Sequence, residues 1–296
     1  MNKKILFSVA ALFAVSFSLT SCYEDFLKDY NYTAMYFSSQ KPLRTVIADR
    51  DMEIRVGVMI GGIREVNKDD YADFVIDEEL LDGTGLTLLP ENCYSLSDPS
   101  RMKVSNPNLP IADVTISFTE DFYNDELAAG KHYAIPFRAV SCSADSLLEG
   151  KTTSIVAVKF QNRWHGTYYV KGSVSEVDAE GNLSGTVTYS RTDLSTNITR
   201  GLSTVSRNTG IRAGVANTAA SGEKVFLTFN EDGTLVPSTA DGGISITSGS
   251  GTWNDSGERM VITLKYIYQK GGVNYSVEEE LYRRQDPLND LVFEEW

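Results

Sequence analysis

Histidine and cysteine are scarce: the chain has two histidines, His132 and His165, and three cysteines, Cys22, Cys93 and Cys142. No His-Glu-x-x-His stretch and no closely spaced cysteine pair occurs, which removes the usual imidazole and thiolate zinc sites. Neither Cys93 nor Cys142 has a histidine at a catalytic spacing, so a thiol nucleophile is not indicated. A Gly-x-Gly-x-x-Gly turn opening a helix, a phosphate loop and a Gly-x-Ser-x-Gly elbow are also missing. Nothing therefore points to a nucleotide cofactor or a serine hydrolase, and no cofactor is expected. Basic charge is in deficit as well, with 27 Lys and Arg against 40 Asp and Glu and a net charge of -13. Such acidity argues against nucleic acid or an anionic membrane surface as partner, and leaves neutral ligands such as sugars open.

What the chain does have begins at its start. Lys3 and Lys4 precede an apolar run from Ile5 to Leu19, which leads into Thr20-Ser21-Cys22. The run is shorter than the roughly 20 residues of a spanning helix. Lysines, apolar run and small residues predict an exported, cleaved signal peptide over 1–21. The cysteine at the cleavage point fits the bacterial lipobox, predicting acylation of Cys22, a tether over 22–30 and an outer-membrane lipid anchor. Cleavage would remove 21 residues, two of them lysines, leaving 275 residues and a net charge of -15. In an oxidising compartment a Cys93–Cys142 disulfide is permitted, and two separately buried thiols are the alternative.

Beyond the tether, the strong segments read as strand. Met52 to Ile60 alternates and stops at Gly61-Gly62, Ala112 to Phe118 alternates cleanly, and Ser154 to Phe160 closes the first half. Pro136 places Tyr133–Val140 at an edge or a bulge. Asp77 to Leu81 predicts one short helical turn. Short strands with polar turns describe an immunoglobulin-like β-sandwich over 31–161. The second half carries the clearer hairpins, with turns at Asp178–Asn182, Asn254–Gly257 and Gly271-Gly272. Their succession predicts an antiparallel β-barrel over 162–296. The class is thus all-β, in two domains joined without a flexible linker near Gln161-Asn162-Arg163. Thr192 to Gly222 reads as a long polar excursion with a short strand at Ile211–Ala216.

Met35-Tyr36-Phe37-Ser38, Leu89-Pro90-Glu91-Asn92-Cys93-Tyr94-Ser95-Leu96 and Leu127 to Arg138 together resemble DUF1735, a domain of Bacteroidetes lipoproteins. The stretch opening at Trp164-His165-Gly166-Thr167-Tyr168 resembles its partner DUF4361, whose expected form is lipocalin-like. The acidic Tyr23-Glu24-Asp25-Phe26 resembles the export signal of Bacteroidetes surface lipoproteins, which implies display on the cell surface. The resemblance implies glycan handling beside uptake proteins and glycoside hydrolases, and transfers no site residue.

Hydrolysis of a glycan needs two carboxylates facing each other across a cleft. Asp69-Asp70, Asp77-Glu78-Glu79, Glu120-Asp121 and Glu278-Glu279-Glu280 supply carboxylates by number, but all fall in turns or at strand ends. Alternation puts Glu278 and Glu280 on one face and Glu279 on the other, and a carboxylate inside a barrel must be paired or hydrated. No metal site is expected, since turns such as Asn230-Glu231-Asp232-Gly233 are explained by ordinary hairpins. Aromatics are better placed for binding, because sugar C–H faces stack on them. The candidates are Trp164, Tyr168, Tyr189, Trp253, Tyr266, Tyr268, Tyr275 and Tyr282, each of which also suits a core or cross-strand position. The favoured expectation is non-catalytic binding or presentation of glycans. A structural or adhesin-like subunit with a protein partner is the second reading, and a glycoside hydrolase the third.

Overall fold

The computed structural model describes residues 32–50, 52–62, 66–218 and 222–296. The signal peptide, Cys22 and the 22–30 tether lie outside the described residues. The first half contains β1 (Ala34–Tyr36), β2 (Pro42–Ile47), β3 (Glu53–Gly61), β4 (Tyr71–Ile76), β5 (Thr87–Leu88), β6 (Tyr94–Leu96), β7 (Arg101–Val104), β8 (Ile111–Phe118), β9 (Tyr133–Cys142), β10 (Ser146–Leu147) and β11 (Thr153–Gln161). Their path runs β10-β1-β3-β8-β7-β4-β9-β11-β2, with β5 on β9 and β6 on β8. One continuous sheet folds over its own core as a half-barrel or sandwich. The alternation seen in the sequence fills that core: Ile54, Val56, Val58 and Ile60 of β3 face inward beside Ala112, Val114 and Ile116 of β8. Helix α1 (Glu120–Asn124) buries Phe122 and Tyr123, and Phe122 packs 4.4 Å from Phe118 and edge-on to Phe160. The single turn expected at Asp77–Leu81 is a 3-10 turn over Glu78–Leu81, capped by the Asp77 carboxylate.

Two open alternatives are decided here. β9 is not an edge, because it pairs with β11 on one side and β4 and β5 on the other. Pro136 is accommodated where β4 ends at Ile76↔Phe137 and before β5 begins at Leu88↔Ala134, so no ladder N–H is missed. The bulge alternative holds for the strand: Asp73 pairs with Ser141 and Phe74 with Ala139, which leaves Val140 as the extra residue of β9, four positions beyond the proline. The cysteines take the separate-thiol alternative: Cys93 and Cys142 are both free. Cys93 lies beside the end of β8, where Thr119 N donates to its carbonyl, whereas Cys142 pairs with Ala72 on β4. Strands β7 and β4 separate β8 from β9 along the sheet. Burial pushes both thiols above their ordinary range.

The second half contains β12 (Gly166–Val177), β13 (Leu183–Tyr189), β14 (Ile198–Thr204), β15 (Thr209–Ala213), β16 (Lys224–Phe229), β17 (Thr234–Asp241), β18 (Ile244–Asn254), β19 (Val261–Lys270) and β20 (Val273–Arg283). It is a closed eight-stranded antiparallel barrel, sealed by β12 against β20 from Tyr168↔Arg283 to Val177↔Asn274. The other edge of β12 is shared between β14 at Gly166–Val170 and β13 at Gly172–Val177. Gly271 and Gly272, both at positive φ, make the tight β19–β20 turn that the sequence predicted. The polar excursion is corrected in part: the short strand expected at Ile211–Ala216 is β15, shifted to Thr209–Ala213, while β14 was not expected, and both are staves of the barrel wall.

The junction is rigidly built. Asn162 is fully buried; its backbone N–H donates to Thr204 Oγ1, and its Nδ2 donates to the carbonyls of Ser206 and Thr209. The chain end then returns to the sandwich, where β21 (Glu294–Glu295) pairs with Pro42–Leu43 of β2. Trp296 donates its indole N–H to Ile155 O and packs with Leu43 and Ala157. That cover explains why β11 buries residues on both faces.

Candidate functional site

Two arrangements of polar side chains stand out. The first lies inside the barrel. Glu279 on β20 is 2% exposed, on the face opposite Glu278 and Glu280, and it meets Arg212 of β15, 1% exposed. Arg212 Nη1 donates to Glu279 Oε2 at 2.6 Å and Nη2 donates to Tyr266 Oη at 3.2 Å. Tyr189 Oη donates to Glu279 Oε1 at 2.9 Å, and Tyr266 Oη to Oε2 at 3.3 Å. Gly172 makes room for this: a Cβ there would stand 2.9 Å from both Tyr189 Oη and Glu279 Cγ. Burial first, then the neighbouring carboxylate, pushes the Tyr189 and Tyr266 hydroxyls far up, so both stay protonated donors. The Glu279 charge holds Arg212 above its usual range despite burial. Every member has its partners, with Arg212, Glu279 and Tyr266 buried and Tyr189 half-buried, so this network specifies the barrel.

The second arrangement is an open cleft of about 800 Å³ between the sandwich and one end of the barrel. Three barrel turns form one wall. They carry Ser206, Arg207 and Asn208 between β14 and β15, Asn230 and Glu231 after β16, and Trp253 near the end of β18. Asp49 and Glu120, Asn124 and Glu126 around α1 form the other wall. Arg207 spans the two, with Nη2 2.9 Å from Asp49 Oδ1, an ion pair to Glu120 and a 3.2 Å bond to Asn124 Oδ1. Both carboxylates are therefore committed to one guanidinium, which ties the walls together. Trp164 stacks on Phe229 at 4.3 Å with 7° between planes and meets Trp253 edge-on at 5.3 Å. Arg163 sits 4.9 Å over the Trp253 ring and pairs with Asp255. Trp253 is half-buried and fixed by its indole N–H to Asn230 O at 3.0 Å. The cleft thus offers a held aromatic plate at its rim, surrounded by amides, hydroxyls and carboxylates. Its size is that of a small-ligand site.

The eight aromatic candidates do not converge. Trp164 and Trp253 line the cleft. Tyr168 is wholly buried and donates to Trp164 O at 2.6 Å, and Tyr266 belongs to the charged network. Tyr268, 4% exposed, stacks on Tyr275 at 5.0 Å. Tyr189 reaches inward to Glu279, while Tyr282 donates to Glu280 on the outer face. Tyr168, Tyr266 and Tyr268 are core side chains and offer no platform to a sugar, because inward-facing positions of a small barrel are filled. The sequence reading missed Arg207, Asn208, Asn124 and Glu126, which come from turns remote in the chain and carry no local signature.

An all-β sandwich followed by a closed barrel, with a cleft at their junction, is the class that these features define. Residues 24–146 match the family model of a DUF1735-like, N-terminal domain, which fits the resemblance over that stretch. A protein of unknown function from Bacteroides ovatus has the same fold, with a TM-score of 0.73, 22% identity, and 86% of this chain and 95% of that chain covered. Weaker likenesses include a Bacteroides ovatus multidomain protein including DUF1735 (TM-score 0.42, 15% identity, 90% of this chain and 100% of that chain). Another is an auxiliary nutrient binding protein from Bacteroides thetaiotaomicron (TM-score 0.40, 14% identity, 86% of this chain and 96% of that chain). These two are too distant to bear on function. No curated protein matches the chain.

Proposed function

We propose that the protein is a non-catalytic glycan-binding lipoprotein, anchored through Cys22 to the outer membrane and displayed at the cell surface. It would hold oligo- or polysaccharide in the junction cleft for neighbouring uptake proteins. The observation that carries this is the half-buried Trp253, fixed by Asn230 and Trp164 at the rim of a cleft walled by Asn124, Glu126, Asn208 and Glu231. A sugar ring needs one apolar plate for its C–H face and several hydrogen-bonding groups for its hydroxyls, and this cleft supplies both. Asp49 and Glu120 are both committed to Arg207 and are not free to act as a catalytic pair. Affinity electrophoresis against plant, host and microbial polysaccharides tests the binding, with Trp253→Ala expected to weaken it about tenfold or more. Unaltered binding by that variant would move the site elsewhere. Radiolabelled palmitate incorporation lost in Cys22→Ala tests the anchor.

A further inference from the structure

Charge around the cleft is unevenly settled. Arg207 is neutralised by Asp49 and Glu120, and Arg163 by Asp255. Glu126 and Glu231 also line the cleft, and neither makes an ion pair among the described residues. A ligand entering therefore meets no unpaired cation and two uncompensated carboxylates. Carboxylates accept strong hydrogen bonds from sugar hydroxyls. Both are exposed, and they repel carboxylate or sulfate groups on a ligand most strongly at low ionic strength. The fold contributes to this imbalance, since Arg207 is spent on joining the two halves.

Resting on the glycan-binding reading above, we infer that the cleft selects uncharged glycans and rejects uronate- and sulfate-bearing ones. Glu126 and Glu231 are its specificity-determining residues, acting on the ligand by hydrogen bonding to hydroxyls and by repulsion of anions. The site would thus discriminate between polymers of the same sugar and linkage that differ only in charge.

The test uses mannan, galactan, β-glucan and amylopectin as neutral probes, with polygalacturonate and chondroitin sulfate as anionic ones. Any hexose polymer that binds is then oxidised at its primary hydroxyls to the matched polyuronate. The full protein is expected to bind the oxidised form at least tenfold more weakly, with the gap narrowing at high salt as the repulsion is screened. Glu126→Gln together with Glu231→Gln is expected to narrow the gap at low salt at least threefold. Anionic probes bound as well as or better than neutral ones would overturn the inference while leaving glycan binding intact. A gap unchanged in the double variant would overturn the role of these two carboxylates. Binding of no probe of either class would overturn the underlying reading itself.

Discussion

The sandwich core and the barrel core are built from different materials. In the sandwich, Met35, Phe37, Phe74, Met102, Ile116, Phe137 and Phe160 close a core in which Ser154 is the one buried polar residue among those described. The barrel buries Ser175, Arg212, Glu223, Glu279 and Arg283 among its apolar residues. An apolar core gains stability from area and packing and tolerates rearrangement. A core with a paired charge at its centre gains less from that pair, yet admits few alternative registers, because any slip would strand Glu279 or Arg212. The sandwich is thus held by quantity of burial, and the barrel by specificity as well.

The largest contrast comes from breaking the pair. Arg212→Met alone leaves a buried carboxylate uncompensated, and a loss of about 3–5 kcal/mol is expected in urea unfolding. Arg212→Met combined with Glu279→Leu is expected to recover most of it. Equal losses in single and double variants would mean that the pair does not set barrel stability. Next, Gly172→Ala pushes a methyl against Glu278 O at 2.4 Å and into the Tyr189–Glu279 contact, with an expected cost of about 1–3 kcal/mol. In the sandwich, Ile116→Val removes one methylene from a fully buried site and is expected to cost about 0.5–1.5 kcal/mol. No second substitution should rescue it. Arg207→Ala, which breaks partly exposed ion pairs, is expected to change stability by about 1 kcal/mol or less, and to show instead as increased proteolytic cleavage near the junction.

Alkali distinguishes the halves by mechanism rather than by size. Tyr133 of the sandwich is pushed up to about 12, first by its hydrogen bond to Asp125, and Tyr268 of the barrel to about 12, first by burial. Both folded values lie above the unfolded value of about 10. Their contribution to stability is therefore complete below pH 10 and disappears as pH rises toward 12. Tyrosinate absorbance followed beside circular dichroism is expected to show ionisation of these groups coupled to unfolding within that window. Full ionisation with the fold intact would contradict the burial of Tyr268. Asp125→Asn is expected to lower the Tyr133 midpoint and leave Tyr268 in place.

The same contrast explains what was legible in the sequence. β3, β8 and β16 face an apolar interior, so their alternation appears directly in Ile54-x-Val56-x-Val58, Val114-x-Ile116 and Val225-x-Leu227-x-Phe229. β14 reads Ile-Thr-Arg-Gly-Leu-Ser-Thr and buries only Leu202. β15 turns Gly210 and Arg212 inward. A hydrophobic pattern marks poorly a strand whose inner face is a glycine and an arginine, so β14 read as loop and β15 was marked only from Ile211 onward. Pro136 signals an edge only if its missing N–H faces a neighbour, and the gap between β4 and β5 removes that neighbour. Alternation set Glu279 apart from Glu278 and Glu280 without fixing which face is inward, and its partner Arg212 required the barrel to close. The cleft was half legible: Trp164 and Trp253 are conspicuous residue types, while Arg207, Asn208 and Asn230 are ordinary turn residues until three hairpin ends meet α1.

Amide hydrogen exchange with and without a bound polysaccharide tests the placement of function most directly. Protection is expected at the three barrel turns carrying Asn208, Asn230 and Trp253, and at Glu120–Asn124 across from them. Protection confined to the exposed edge strand β13, or to the sandwich face around β2 and β3, would contradict the account.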